Sequence, residues 1–401
     1  MPLTQAREIT PAQRLDNLRY AIRDLVGLAD QVEQQGHKVL YLNVGDPNIF
    51  DFAPPAHVVE AAYRAMRDNK NGYAPSAGVP EALEAIRNEA VRNGISSVQN
   101  VFVTNGAGEA VDLCLTALLN PGENVLTPSP DYPLYTAVLC KTAAEMNSYY
   151  LNEEDAWQPD LDDIRRKINS RTRAIVLINP NNPTGSLCTR KMLEQIAEIA
   201  REHNLLIISD EIYDKLILDG GEHISIAAVA PDIPVVTIGG LSKNYLAPGW
   251  RMGWGIVSGD AATVKPFVEG IHKMLRARLS ANHPEQYAIK PALEGPQDHL
   301  IEVRRKFTTR RDITVEACNS IPRMSCVPPR GAFYAFPKID IPEDDAVWVK
   351  ELLLQKHILL VHGSGFGQKP GTKHFRIVFL PQEETLRTAY TQIREFMTDR
   401  Y

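Results

Sequence analysis

Pro234-Val235-Val236-Thr237-Ile238-Gly239-Gly240-Leu241-Ser242-Lys243 is an apolar strand running into a Ser-Lys turn, and Gly249-Trp250-Arg251-Met252-Gly253 follows it. An ε-amine in such a turn can form a Schiff base with a carbonyl, and a nearby guanidinium can clamp a phosphate. Taken alone, Lys243 reads as a solvated surface charge after a strand. Three further segments shift that reading, because each puts polar chemistry at the end of a short apolar run.

In Val101-Phe102-Val103-Thr104-Asn105-Gly106-Ala107-Gly108 a buried strand enters a helical pattern (Val111 to Leu119) through two glycines. Backbone N–H groups at a helix N-terminus form an anion site, and glycine lets a phosphate approach closely. The stretch has neither the G-x-G-x-x-G spacing of a dinucleotide fingerprint nor the Gly-Lys-Ser/Thr of a P-loop. Asn179-Pro180-Asn181-Asn182-Pro183-Thr184-Gly185 follows the apolar run Ala174 to Ile178. It is a turn-forming composition, with Asn182 offering an amide and Asn182-Pro183 a candidate cis bond. Leu205-Leu206-Ile207-Ile208-Ser209-Asp210-Glu211-Ile212-Tyr213 ends a fully apolar strand on two acids and a tyrosine. Open α/β sheets bind ligands beyond such strand ends. By themselves these are an ordinary loop and a helix-capping acid.

Taken together, the order and chemistry of these residues resemble the pyridoxal 5′-phosphate enzymes of the aminotransferase-like fold, class I/II, fold type I. The resemblance runs from about Leu15 to Phe396 and is nearest to bacterial and archaeal alanine (glutamate–pyruvate) aminotransferases. It is carried by Leu42-Asn43-Val44-Gly45-Asp46-Pro47, Pro130-Asp131-Tyr132-Pro133-Leu134-Tyr135, Asp210-Glu211-Ile212-Tyr213, Arg278-Leu279-Ser280-Ala281-Asn282, Pro329-Arg330-Gly331-Ala332-Phe333-Tyr334 and His374-Phe375-Arg376-Ile377-Val378. The resemblance implies that Lys243 is the catalytic lysine. It implies that Asp210 holds the pyridine nitrogen, and that Asn182 and Tyr213 hold the phenolic oxygen. Tyr132 would stack on the ring and Ser242 would also contact the cofactor, while Gly106, Ala107, Gly108 and Arg251 form the phosphate cup, joined by Tyr73 from the partner subunit of a homodimer with shared active sites. Arg376, Asn182 and the Gly45 backbone would take the substrate's α-carboxylate, with Tyr20 and Arg23 of the N-terminal helix also near the substrate. Two departures stand out: Gly108 replaces a polar side chain in the cup, and Val361-His362-Gly363-Ser364-Gly365-Phe366-Gly367 lacks a proline common in that loop.

A chain of 401 residues, 44% hydrophobic, has material for a large core and a smaller second lobe. Apolar runs at Val101–Val103, Asn124–Thr127, Ala174–Ile178, Leu205–Ser209, Val235–Ile238 and Trp254–Val257 alternate with helical stretches. They predict a mostly parallel sheet covered by helices on both faces. Helices are expected over Arg14 to Gln35, stopped by Gly36, and over Ala56 to Arg67. Beyond a helical region from Ala261 to about Asn319, shorter strands (Phe333–Phe336, Leu359–Val361, Phe375–Phe379) alternate with helices near Ala346–Gln355 and Glu383–Met397. The expected division is a large cofactor-binding domain, 52–290, and a small α/β domain that closes over the substrate, 1–51 plus 291–401.

A net charge of −6 gives no basic footprint for nucleic acid. No run reaches the ~18 apolar residues of a membrane helix, and Met1 to Thr10 lacks a signal-peptide core. Five scattered cysteines without a C-x-x-C pair suit a reducing cytoplasm and no structural zinc, and the ten histidines show no metal-ligand spacing. The family's chemistry implies transfer of an amino group between an amino acid and a 2-oxo acid, with L-alanine and 2-oxoglutarate favoured. Aspartate, a broader amino-acid range, and β- or γ-elimination on the same fold are the alternatives.

Overall fold

The apolar runs become neighbours in one eight-stranded sheet, as seen in a computed structural model that describes residues 9–16, 18 and 25–401. In spatial order the strands are Val98–Asn105, Met252–Ser258, Val235–Gly240, Leu206–Asp210, Thr172–Ile178, Asn124–Ser129, Glu145–Asn152 and Gln158–Pro159. The four pairings from Val235–Gly240 across to Glu145–Asn152 are parallel. Leu206–Asp210 and Asn124–Ser129 are buried at every residue, which is why apolar residues stand on both faces of each, at Leu206–Ile208 and Val125–Leu126.

The period of two along each strand sorts side chains between two cores. Ile175, Leu177, Ile207 and Val235 face one way, against Ile86 of helix Pro80–Arg92 and Ile196 of helix Arg190–Glu202. Val176, Ile178, Ile208, Val236 and Ile238 face the other way, against Leu115 of helix Ala107–Leu118 and Ile271 of helix Ala261–Ala277. Each such side chain contributes about 1.5–3 kcal/mol when removed from water, so both helical layers are held by the same few strands.

The structure refines the expected elements in four places. Met252–Ser258 runs antiparallel to both of its neighbours, so its first residues, not its last, lie at the edge where the parallel strands end. Glu145–Asn152 is a strand that its polar composition concealed; it lies near the sheet margin and is only partly buried. The N-terminal helix begins at Val26 and ends at Gln34, with Gly36 beyond it at φ 91°, while Gln13–Leu15 is a short 3-10 turn. The helical region after Ala261 breaks into Ala261–Ala277, Ile289–Glu294 and His299–Ser320. Helix Ala56–Arg67 has the limits read from the sequence.

A second core gathers residues of helices His299–Ser320, Asp345–Lys356 and Glu383–Arg400 around a small antiparallel sheet. That sheet pairs Phe375–Val378 with Tyr334–Ala335 on one side and Val361–His362 on the other. Leu40–Tyr41 pairs in parallel with Ile358–Leu359, which fastens the segment before residue 52 to this lobe. We propose lobes of 52–290 and of the remaining chain because this second core draws mainly on the latter; Ile212, Tyr213, Leu216 and Leu218 reach into it from the large lobe, and Phe336, Val361 and Phe366 pack the other way. No helix among the described residues is long and apolar enough to cross a membrane.

Trp348 anchors the small lobe: it is fully buried, stacked on Phe375 at 5.3 Å and edge-on to Phe396 at 5.9 Å. Trp348→Ala is expected to destabilise this lobe by about 3–5 kcal/mol, seen as a lower urea midpoint. A midpoint within error of wild type would contradict that role.

Candidate active site

The Gly106 turn makes the first wall. Gly106 has φ 82° and ψ 162°, and helix Ala107–Leu118 starts at the next residue. The positive φ disfavours any side chain there, and a Cβ would lie 2.3 Å from Nη2 of Arg251, displacing the guanidinium from its present seat. The Arg251 guanidinium therefore rests on bare backbone at a helix N-terminus, where unpaired N–H groups point outward. Arg251 is itself left-handed, φ 53°, and its Nη1 donates to the Pro248 carbonyl at 2.9 Å. In sequence it follows the apolar run Val235–Ile238, which would place it beyond that strand's C-terminal end. It instead precedes Met252–Ser258, and the antiparallel direction of that strand brings it to the same edge. At Gly108 an added Cβ would make only an ordinary 3.5 Å contact with Leu134, so space does not require that glycine.

Asp210 closes the neighbouring strand. It is buried, and it accepts hydrogen bonds from the Tyr135 hydroxyl at 3.2 Å and the Ile212 amide at 3.3 Å. Burial pushes its carboxyl up to about 6, the two hydrogen bonds oppose that, Glu211 adds to it, and Lys243 opposes it. Tyr213, on the turn after Asp210, bonds the Tyr334 hydroxyl at 3.1 Å, and burial raises its phenol well above the ordinary range. Lys243 is half-buried and its Nζ donates to the Gly45 carbonyl at 2.9 Å. Gly45 must be a glycine because a Cβ would fall 2.1 Å from the Tyr334 oxygen.

Ala107, Gly108, Tyr132, Asn182, Asp210, Tyr213, Ser242, Lys243 and Arg251 line one cavity of about 230 Å³ together with Tyr334. Beside it, Arg376 is buried in the small lobe. Its Nη1 donates to Asn182 Oδ1 at 3.1 Å and its Nη2 to the Asn43 carbonyl at 2.5 Å. The guanidinium lies between the rings of Tyr334 and Phe366, at 4.7 and 4.9 Å. The Asn182–Pro183 bond is cis. Tyr73 stands apart from this cavity, 80% exposed on the loop after helix Ala56–Arg67. Tyr20 and Arg23 lie outside the described residues.

Sequence reading gave no role to Tyr135, Tyr334, Asn43 or Phe366. Tyr135 and Tyr334 stood inside quoted motifs as aromatics, but nothing in spacing shows that one bonds Asp210 and the other bonds Tyr213 and flanks Arg376. Asn43 acts through its carbonyl, which no side-chain pattern can report.

The chain belongs to the aminotransferase class I and II family, whose model matches residues 37–393. It is 40% identical over 399 residues to the glutamate-pyruvate aminotransferase AlaA of Escherichia coli K12, covering 97% of this chain and 98% of that one. It is 39% identical over 402 residues to an alanine aminotransferase of Mycobacterium tuberculosis, covering 98% and 93%. Among solved structures, an alanine aminotransferase from Pyrococcus furiosus superposes with a TM-score of 0.94 at 43% identity, covering 98% of this chain and 100% of that one. The fold is that of the type I aminotransferases.

The raised carboxyl of Asp210 makes a pH prediction for the protein without added cofactor. Its ordinary value is 3.8 and its folded value about 6, so the folded chain binds the proton more tightly. That contribution is full below 3.8 and is lost as pH rises through about 6. The stability of wild type relative to Asp210→Asn, read from thermal unfolding, should therefore rise as pH falls from about 7 to about 5, by roughly 1.4 kcal/mol. A difference that stays flat over that range would refute the raised carboxyl.

Proposed function

We propose that this aminotransferase uses pyridoxal 5′-phosphate to exchange an amino group between L-alanine and 2-oxoglutarate, giving pyruvate and L-glutamate. One observation carries the cofactor reading: an amine, a buried carboxylate and a guanidinium seated on a helix N-terminus share one cavity. The Gly106–Arg251 cradle, which a Cβ would fill, suits a phosphate. Gly106, Ala107, Gly108, Ser242 and Arg251 would hold that phosphate. Asp210 would face the pyridine nitrogen, Asn182 and Tyr213 the phenolic oxygen, and Tyr132 the ring. When bound, the group supplies a carbonyl for amine exchange and an electron sink for charge left at the substrate's α-carbon.

The chain's own residues do the rest. Lys243 is the lysine lining the cavity, and its amine takes the proton from the substrate's α-carbon and delivers it back on the other side of the exchange. Arg376, fixed in plane by Asn182 and Asn43, orients the α-carboxylate by paired N–H···O bonds, with the Gly45 backbone alongside. The buried Asp210 carboxylate would stabilise positive charge on the bound group's nitrogen, an effect its burial strengthens.

The choice of alanine rests on the names of the relatives at 40% and 39% identity. A second copy of the chain would complete the site. Tyr73 is exposed, and Val59, Tyr63 and Met66 form an exposed apolar stripe on the helix leading to it. The cytoplasm suits five cysteines that form no disulfide.

An absorbance titration tests the reading. Adding L-alanine to the cofactor-loaded enzyme should remove the band near the visible edge, and 2-oxoglutarate should restore it. A band moved by another amino acid but not by alanine would keep the transaminase and discard the substrate. Lys243→Ala should lower turnover by roughly 10⁴-fold or more while leaving cofactor retention through the phosphate cup. Near-normal activity in that variant would remove Lys243 from the mechanism.

A further inference from the structure

The two rings that cage Arg376 are held by different means. Tyr334 lies on a strand paired with Val378. Phe366 belongs to Gly363-Ser364-Gly365-Phe366-Gly367, a glycine-rich turn with little stiffness of its own. Yet Phe366 is fully buried, with its ring 4.9 Å from the guanidinium carbon.

Asp345 adds side-chain anchors to the backbone bond of Gly363 to His374 and the packing of Phe366 on Phe336. It is 2% exposed, at the first position of helix Asp345–Lys356. Its Oδ1 accepts from the Ser364 hydroxyl at 2.7 Å, and its Oδ2 from the Ser364 amide at 2.9 Å and from Gln368 Nε2 at 2.5 Å. These bonds bracket Phe366 in sequence. Gln368 passes the constraint on, because its Oε1 meets Nδ1 of His374 at 2.8 Å, on the strand approach to Arg376. From the large lobe, the Asp131 amide donates to the Phe366 carbonyl at 2.8 Å.

We propose that Asp345 is a positioning residue for the substrate's α-carboxylate: by anchoring Ser364 and Gln368 it holds Phe366 against Arg376. The inference rests on the reading of Arg376 as the carboxylate clamp. Asp345 does not line the cavity around Lys243, so it acts through the loop and not on the reacting atoms.

A competing role is purely structural, since an acid in a helix's first turn stabilises the helix through its dipole. Asparagine separates the two. Its amide oxygen can replace Oδ2, and its NH₂ can donate to the Ser364 hydroxyl, which accepts as readily as it donates. Asp345→Asn therefore keeps the loop anchored but loses the charge, whereas Asp345→Ala loses both.

The experiment measures kcat, KM for L-alanine, KM for 2-oxoglutarate and the thermal midpoint in wild type, Asp345→Ala, Asp345→Asn and Arg376→Lys. Asp345→Ala should raise both KM values by a common factor of roughly five, with kcat within about twofold, and Asp345→Asn should stay near wild type. The common factor is expected because both substrates carry an α-carboxylate, whereas a side-chain pocket would affect one. If Arg376→Lys raises both KM values and Asp345→Ala raises neither, the proposal is overturned. If Arg376→Lys raises neither, the clamp reading itself fails and the proposal with it. Equal losses of thermal stability in both Asp345 variants, without a change in KM, would assign Asp345 to the helix alone. Should Asp345→Ala not fold, Ser364→Ala/Gln368→Leu removes two of the three bonds and should give the same paired rise; unchanged KM values there overturn the proposal.

Discussion

Backbone pairing of Ile178 with Asp210, and of Asp210 with Ile238, aligns the ends of two parallel strands with a third that runs two residues further, to Gly240. The site depends on that alignment. The turns leaving those ends carry Asn182, Tyr213, and the Ser242–Lys243 pair, and each side chain reaches the common cavity from a strand fixed on both sides. A slip of one residue in any of these pairings would turn the strand's apolar set to the wrong face. The same hydrophobic alternation that divides the cores thus also fixes where the polar groups stand.

Holding charge in such a place is expensive. Asp210 is buried with a tyrosine hydroxyl and one amide as its hydrogen-bond donors, and its carboxyl is pushed up accordingly. A carboxylate so placed is poorly solvated by its own protein and is well matched to a cationic ligand group. Arg376 shows the opposite arrangement: two oxygens fix its plane and two rings cover its faces. Rigidity there is built in before any substrate arrives, which reduces the ordering that binding must otherwise supply.

Much of this was legible in the sequence, for identifiable reasons. Strands buried on both faces are continuous apolar runs, so the central strands could be placed within a residue or two. Asp210, Asn182 and Lys243, which line the cavity from strand ends, could be located because turn residues mark those ends, while the resemblance alone proposed roles for them. The strand Glu145–Asn152 was hidden because a half-exposed strand need not be apolar. The direction of Met252–Ser258 was hidden because composition does not encode polarity of pairing, and that direction decides how Arg251 arrives. Contacts made by backbone atoms, such as the carbonyls of Asn43 and Gly45, leave no trace in residue type.

Those two carbonyls belong to one short stretch. Leu40 and Leu42 donate to His357 and Leu359, and Val378 donates to Leu42, so the stretch is knitted into the small lobe. From that footing it offers the Asn43 carbonyl to Arg376 and, two residues on, the Gly45 carbonyl to Lys243 of the large lobe. A single short piece of backbone, bent at Asn43, therefore links the proposed carboxylate clamp to the proposed proton carrier. Through that span the hydrogen bond of Lys243 to Gly45 ties the lysine of the large lobe directly to backbone anchored in the small one.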